Sequence, residues 1–227
     1  MLFVYGNIDE KEVVRIVDRK QQENLFLPVV ENQIALRTPP SPDYVPQHVV
    51  QDKDTHQAHI MMGARAYGAR DKKHLALFLA NNILGGPGLS SRLNLALRER
   101  RGLVYSADST LTTYTDTGMW AVYFGCDHED VAKCRRLVKR ELLRLCDAPL
   151  SEKALNAAKR QISGQIALSY DNFENVAIGM GKRMLHYGST QTKDELIERV
   201  HSLTSAQVWE AVQEVFNPDG LTILEYR

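Results

Sequence analysis

The sequence predicts an α+β fold in which a mainly antiparallel sheet is covered on one face by several helices. Segments that alternate between apolar and polar residues, as strands do, are concentrated in the first half of the chain, whereas the second half shows the longer period of helices. With 227 residues, 44% of them hydrophobic, the chain can bury a large core. We divide it into a strand and helix over residues 1–20, a proline-containing linker over 21–47 and a main domain over 48–227.

The chain opens with a short strand, and the residues after Gly6 predict a helix. Asp9 and Glu12 have the spacing of a capping box, and the helical pattern continues to about Lys20. One face of this helix is apolar, which predicts that it is buried; it carries Val13, Ile16 and Val17. The first residues resemble a strand entered midway and lack the basic region of a signal peptide, so we expect an upstream part.

The elements of the main domain follow from alternation, helical period and capping residues. Residues 55–67 alternate and predict a strand, and Asp71 is placed to cap the helix after it. Residues 104–115 and 118–126 predict an antiparallel hairpin. Helices are expected over residues 130–146, 151–169, 171–187, 193–202 and 205–216, before a final strand over residues 221–226.

A glycine-rich turn separates the first helix of this domain from a second one. Gly85, Gly86 and Gly88 permit positive φ angles and close backbone approach, and Pro87 forbids continuation of the helix, so the turn is predicted to be tight. Ser90 or Ser91 is placed to cap the second helix. The buried face of that helix is expected to carry Leu89, Leu93 and Leu97.

Two hydrogen-bonding side chains flank the end of this second helix. Arg98 lies in its last turn, where a cation suits the helix dipole, and Gly102 is suited to the position just after it. Tyr105 follows in the extended segment that leaves the helix. On these residues alone, the favoured interpretation of Arg98 is a charge on a solvated helix face. The structural alternative for Tyr105 is a ring that packs and hydrogen-bonds a neighbour.

A phosphate-binding function for the glycine-rich turn is disfavoured. A Walker motif requires Gly-Lys-Ser/Thr at the start of the helix, whereas Leu89 and Ser90 follow Gly88. A dinucleotide fingerprint needs a third glycine and a preceding strand, and this turn has neither. The simpler interpretation is that the glycines let two elements approach closely.

The composition of the chain limits the classes of partner that it is expected to bind. The 28 basic and 28 acidic residues balance, and no apolar run approaches the roughly 18 residues of a membrane span, so we expect neither a nucleic acid nor a membrane as partner. Cys126, Cys134 and Cys146 are odd in number and lack Cys-x-x-Cys spacing, which favours reduced thiols over a metal site.

The residues that could bind a metal do not form a recognisable site. His56 and His59 are three apart on a predicted strand, where such positions point to opposite faces. The segment 127–130 contains one histidine among acidic residues and has no second histidine four residues on. We therefore predict no metal ligands in this chain.

The stretch from Gly85 to Tyr105, with Ser106 and the Asp-Thr-Gly-Met-Trp segment that ends at Trp120, resembles a known family. It is similar to the second, C-terminal and non-zinc, homologous domain of the pitrilysin/insulinase family of zinc metallopeptidases, which includes mitochondrial processing peptidase. The likeness extends more loosely over most of the chain. The family's His-x-x-Glu-His zinc motif does not occur here.

The resemblance implies a fold, a set of site residues and a partner. The fold is the two-layer arrangement of the LuxS and processing-peptidase metallopeptidases. Residues 1–20 resemble the end of the preceding homologous half, and by that resemblance they either belong structurally to that half or pack on this domain. Arg98 and Tyr105 match an Arg and a Tyr that position substrate and stabilise charge on the scissile carbonyl. Zinc would be held by a missing N-terminal half or homologous subunit. The turn expected to face a peptide or unfolded polypeptide substrate consists of Gly85, Gly86, Gly88, Ser90 and Ser91.

Three functions remain open at this point. The chain is the substrate-binding, chamber-forming half of a zinc endopeptidase, inactive alone; or it is part of an inactive homologue that serves as a partner subunit or peptide-binding scaffold; or it shares only the fold and binds a ligand of its own at the glycine-rich turn. We favour the first. A homodimer and a heterodimer are both compatible with the family resemblance.

Overall fold

Five strands form one sheet in the computed structural model, which describes residue 4, residues 6–23 and residues 44–227. Their order across the sheet is β1, β5, β2, β4, β3, and all neighbours are antiparallel except β1 and β5. The predicted α+β class, with a mainly antiparallel sheet, is confirmed. The strands are β1 His48–Gln51, β2 Ala58–Ala66, β3 Val104–Thr113, β4 Gly118–Cys126 and β5 Thr222–Tyr226.

The helices of the described residues lie close to their predicted positions. Five of them follow the β3–β4 hairpin in unbroken succession, as the sequence indicates. Short 3₁₀ turns at His128–Asp130 and Pro218–Gly220 precede α3 and β5. The helices are α1 Glu10–Gln22, α2 His74–Gly85, α3 Val131–Cys146, α4 Glu152–Ser169, α5 Phe173–Tyr187, α6 Lys193–Ser202 and α7 Ser205–Val215.

The core lies between one face of the sheet and the helices. Alternate residues of β2 and β4 point into it, and the largest are fully buried. The centroid of the Trp120 ring lies 4.4 Å from that of Phe216, which follows α7. The end of the run of helices α3–α7 therefore packs against the β3–β4 hairpin. The buried residues of the two strands include Ala58, Ile60, Met62, Trp120, Val122 and Phe124.

A buried carboxylate joins three elements at one side of the sheet. Glu225 of β5 is fully buried, and its oxygens lie 2.6 Å from Arg227, 3.5 Å from Arg135 of α3 and 3.4 Å from His48 of β1. Burial opposes ionisation, but the hydrogen bonds of Arg227 and His48 and the nearby guanidinium charges hold the pKa of this carboxyl below its usual value.

The structure differs from the sequence prediction in two respects at the start of the chain. Strand β1 was not predicted, because four residues are too few to show alternation. Helix α1 forms, and the Asp9 side chain accepts from the backbone N–H of Lys11, but α1 has no buried residue. The predicted buried face is therefore wrong within the described residues: Val13 and Val17 are half-buried and Ile16 is exposed, because no described element covers them. Of the predicted opening strand, only Val4 and Gly6 are among the described residues. The linker prolines before Pro46 lie outside them.

Asp71 lies two residues before the N-cap of α2 and hydrogen-bonds the turn that leads into the helix. Its carboxylate accepts from the backbone N–H of Lys73 at 2.7 Å, and its carbonyl accepts from that of His74, where α2 begins. The residue at the capping position is Lys73, whose side chain makes no cap hydrogen bond.

Among the described residues, no helix is long and apolar enough to cross a bilayer.

Candidate functional site

The glycine-rich turn brings the end of α2 against strand β3. A Cβ atom added to Gly85 would lie 2.6 Å from the Cβ and 2.8 Å from the backbone nitrogen of Ser109, so a side chain has no room there. A Cβ on Gly86 would similarly meet Asn82. At Gly88 the nearest atom would be 3.6 Å away. Close approach, not positive φ, is what Gly85 and Gly86 provide, because neither has a left-handed backbone.

The helix after this turn is a π-helical segment, Asn94–Glu99, preceded by a short α-helical turn. The predicted serine cap is wrong: Ser90 is exposed, and the hydroxyl of Ser91 accepts from the side-chain amide of Asn94 at 3.0 Å. Leu89 is 59% exposed, because it lies in the turn and not on the helix. The other two leucines of the predicted buried face, Leu93 and Leu97, are fully buried as expected.

Gly102 ends this segment as predicted. Its φ angle is +61°, a left-handed conformation, and its N–H donates to the carbonyl of Arg98 at 2.7 Å. The chain then enters β3 through a bulge. Val104 is opposite Cys126 and Ala107 is opposite Phe124, so one extra residue lies between them.

Tyr105 lies at this bulge and points outward. Val104 and Ala107 both pack into the core, which leaves the two residues between them out of the usual alternation. Tyr105, which follows the buried Val104, is 88% exposed. A regular strand would have placed Tyr105 and Ala107 on the same face of the sheet.

Arg98 and Tyr105 lie together at this end of β3. The Arg98 guanidinium carbon is 5.6 Å from the centroid of the Tyr105 ring, within range of a cation–π contact. Arg98 is half-buried and its Nε lies 3.5 Å from the carboxylate of Glu99. The pair presents a phenolic O–H and a guanidinium side by side, which are donors suited to a developing oxyanion.

Asn94 connects the turn to the bulge, and sequence reasoning missed it. This buried side chain accepts from the backbone N–H of Ala107 at 3.2 Å. Its amide nitrogen donates to Ser91 Oγ at 3.0 Å and lies 3.4 Å from the carbonyl of Gly88. An asparagine among leucines in a helical pattern was the available signal, because a buried amide needs partners.

A second buried network fixes α2 on the hairpin. Ser109 Oγ donates to Asn81 Oδ1 at 2.5 Å, and the Asn81 amide donates to the carbonyl of Ser109 at 3.0 Å. The indole N–H of Trp120 lies 2.8 Å from Ser109 Oγ and 3.1 Å from Asn81 Oδ1. This network holds the strand that carries Tyr105 in a fixed place relative to the turn.

The described part of the chain does not fit a zinc ion. It contains no group of three or more histidine, cysteine, aspartate or glutamate side chains placed to hold a metal. Two of the three histidines singled out by the sequence, the third being His56, have other contacts: His59 Nδ1 lies 2.8 Å from the Tyr123 hydroxyl, and His128 Nε2 lies 2.9 Å from the carbonyl of Thr55. Cys126, Cys134 and Cys146 are free thiols.

Residues 1–162 match the family model described as the peptidase M16 inactive domain. The chain belongs to the peptidase M16 inactive-domain family. This confirms the resemblance to the non-zinc domain of zinc metallopeptidases.

Relatives of this inactive domain include zinc proteases. One from Streptomyces coelicolor is 28% identical over 92% of this chain and 46% of its own length, and one from Bacillus subtilis is 28% identical over 78% and 43%. The mitochondrial-processing peptidase beta subunit of Rattus norvegicus is 30% identical over 71% of this chain and 34% of the relative. The chain thus spans about half the length of the curated relatives it matches, or less.

Solved structures share the fold of this M16 domain. A peptidase M16 inactive domain from Pseudomonas fluorescens has a TM-score of 0.72 at 22% identity and covers 80% of this chain and 43% of its own. A protease from Helicobacter pylori has a TM-score of 0.81 at 17% identity over 98% of this chain and 53% of its own. These likenesses confirm the two-layer architecture.

Proposed function

We propose that this chain is the substrate-binding, chamber-forming half of a zinc-dependent endopeptidase. The zinc would be held by an N-terminal half or a homologous subunit that is not part of the 227 residues, and this chain would not hydrolyse peptides alone. Membership of an M16 inactive-domain family, the zinc proteases among its relatives and the share of their length that it spans support the proposal.

The observation that carries the proposal is the pairing of half-buried Arg98 with the exposed Tyr105. A residue that must reach a substrate held by another half has to project from its own surface, as Tyr105 does at 88% exposure. Hydrolysis of a peptide bond places negative charge on the carbonyl oxygen. The phenol donates one hydrogen bond to that oxygen, and Arg98 adds positive charge and a fork of donors that orients the substrate backbone.

Within the described residues, the two side chains of this pair contact each other, and Arg98 also lies near the Glu99 carboxylate. Tyr105 contributes almost nothing to the core, and its position depends on a bulge stabilised by the buried Asn94. β-Bulges commonly re-aim a side chain next to an active site, and π-helical turns are frequent at functional sites. Gly85 and Gly86 face protein atoms, which disfavours an open phosphate cradle in the turn.

The first test compares the purified chain with the same chain combined with its zinc-binding half. We expect the chain alone to bind no stoichiometric zinc by metal analysis and to cleave no quenched-fluorescent peptide. The combined protein should cleave the peptide and lose the activity on chelation. Chelator-sensitive activity with one zinc per molecule of the chain alone would contradict the proposal.

The alternative function is that of a non-catalytic partner or peptide-binding scaffold. The match to an inactive-domain family and to a processing-peptidase subunit favours it as the second candidate. In that case the combined protein would bind peptide without cleaving it, and substitution of Tyr105 would leave every measured rate unchanged.

A further inference from the structure

A cleft of about 920 Å³ lies on the helix side of the molecule, at the far end of β3 from Tyr105. It is enclosed by the start of α2, the end of β3, and helices α5 and α6. Tyr105 and Thr113, which lines the cleft, are eight residues apart on the strand, a distance of roughly 25 Å at about 3.3 Å per residue. The cleft is therefore separate from the Arg98 and Tyr105 site.

Positive charge dominates the lining of this cleft. One acidic side chain, Asp71, faces a set of cations on the segment before α2 and on α5 and α6. Within the described residues, the cations on α5 and α6 form no ion pair with a carboxylate. The cations are Arg70, Lys72, Lys182, Arg183 and Arg199.

Arg183 retains donor capacity. The Arg183 guanidinium carbon lies 4.8 Å from the centroid of the Tyr187 ring. The Tyr187 hydroxyl donates to the carbonyl of Ala69, which links this cation–π pair on α5 to the segment before α2. The buried Nε of Arg183 has no hydrogen-bond acceptor among the described residues. The guanidinium charge has no carboxylate partner among the described residues, and a ligand carboxylate in the cleft would supply one.

The floor of the cleft is apolar. It consists of side chains from three helices, and a glycine on α5 adds open space, because a Cβ placed on Gly179 would meet no atom within 4 Å. Such a floor suits aliphatic or aromatic side chains, whereas the rim suits carboxylates. The apolar residues are Leu75, Phe78, Val176, Met180 and Leu196.

We infer that this cleft is a binding site for an acidic polypeptide segment in which carboxylates alternate with apolar side chains. Charge complementarity and the apolar floor carry the inference. The choice of a polypeptide over other anions rests on the proposed peptidase function. A segment bound here would hold a substrate at a point distant from the bond to be cleaved.

Binding is measured directly, without turnover. The probe is a fluorescein-labelled peptide of alternating glutamate and leucine residues, and its anisotropy is followed on titration with the protein. We expect saturable binding that weakens with salt, and no binding of the same peptide with lysine in place of glutamate. Because no cleavage is needed, this assay can succeed if the peptidase proposal fails, and the reverse is equally true.

Two pairs of variants identify the site. Gly179→Leu fills the cleft, whereas Gly181→Leu adds the same side chain to the same helix at a position that does not line it. Lys182→Glu reverses a charge in the cleft, whereas Arg136→Glu does so on the exposed face of α3. Gly179→Leu and Lys182→Glu should each raise Kd by about tenfold or more, with the two controls close to the unmodified protein.

Three results would overturn the inference. The first is an absence of binding to the acidic peptide. The second is an equal loss of affinity in the control variants, which would place binding elsewhere. The third is displacement of the peptide by anionic lipid vesicles or duplex DNA that bind more tightly and respond to Gly179→Leu, which would assign the cleft to a different class of ligand.

Discussion

Tyr105 lies almost entirely in solvent beside a bulge in β3, and this makes its proposed role separable from stability. Removing its hydroxyl takes nothing from the core, because the side chain is almost entirely in solvent. The Tyr105→Phe substitution therefore isolates the donor itself.

We expect Tyr105→Phe to lower kcat by about a hundredfold or more in the protein combined with its zinc-binding half, since loss of one oxyanion donor has an effect of that order. The melting temperature should stay within error of the original. Tyr114→Phe is the matched control, because Tyr114 is also exposed but lies at the hairpin turn. Unchanged turnover in Tyr105→Phe would assign the residue a structural role.

His74 provides a pH-dependent contribution to stability at the other end of β3. Its Nε2 lies 2.9 Å from Thr113 Oγ1, and burial, with a further contribution from the charge of Arg199, lowers the pKa of its imidazole despite the opposing charge of Asp71. The folded state therefore binds the proton less readily than the unfolded state, whose pKa is about 6.5. Stability is fully present above that value and decreases as the pH falls below it.

The measurement is the free energy of unfolding in urea at pH 7.5 and pH 5. The original protein should lose more stability across this interval than His74→Asn, because the variant has no imidazole to protonate. His56→Asn, an exposed histidine before β2, should behave like the original. A steeper loss in His74→Asn than in the original would reverse the assigned sign.

At the scale of elements, the contact between α2 and β3 depends on the absence of a side chain at Gly85. The end of the helix approaches the Ser109 backbone so closely that any Cβ would overlap with it. The neighbouring Asn81, Ser109 and Trp120 network has no freedom to move aside, because each polar atom is already paired and buried.

Gly85→Ala should destabilise the protein by about 1–3 kcal/mol, the usual cost of an overpacked core position. Gly88→Ala lies in the same turn and has space for the added methyl group, so it should change the free energy of unfolding by less than about 0.5 kcal/mol. Chemical denaturation of both variants is the measurement. Equal stability of the two would show that the turn adjusts freely.

Sequence reasoning was reliable for elements whose pattern is local. The hairpin, the five helices after it and the glycine at position 102 follow from alternation, capping residues and the need for a left-handed backbone. It failed for the π-helical segment and the bulge, because both are defined by long-range packing that places Asn94 against Ala107. Arg98 and Tyr105 were identified by resemblance, whereas their mutual contact required the structure.

At the scale of the whole molecule, α1 carries an apolar stripe that no described element buries. Val13, Ile16 and Val17 share one side of the helix, and no described element buries them. We propose that the stripe contacts the preceding homologous half that the family resemblance implies.

Ile16→Asp should therefore weaken the association of this chain with its zinc-binding half by about tenfold or more, as measured by calorimetric titration, because it places a charge in an apolar contact. The stability of the chain alone should not change. Arg15→Asp introduces the same carboxylate on the opposite side of α1 and should leave association unaffected. A loss of stability in the isolated Ile16→Asp chain would show that the stripe is covered from within.

The position of β5 affects how the molecule is made. This strand is the last of the described elements in the chain, yet it lies inside the sheet, parallel to β1 and antiparallel to β2. During synthesis, β1 has no partner in the sheet until residue 226 has left the ribosome, more than 170 residues after β1 itself. The edges of β1 and β2 that β5 later joins therefore stay unpaired while the helices between β4 and β5 are synthesised, and unpaired strand edges are prone to pair with other chains.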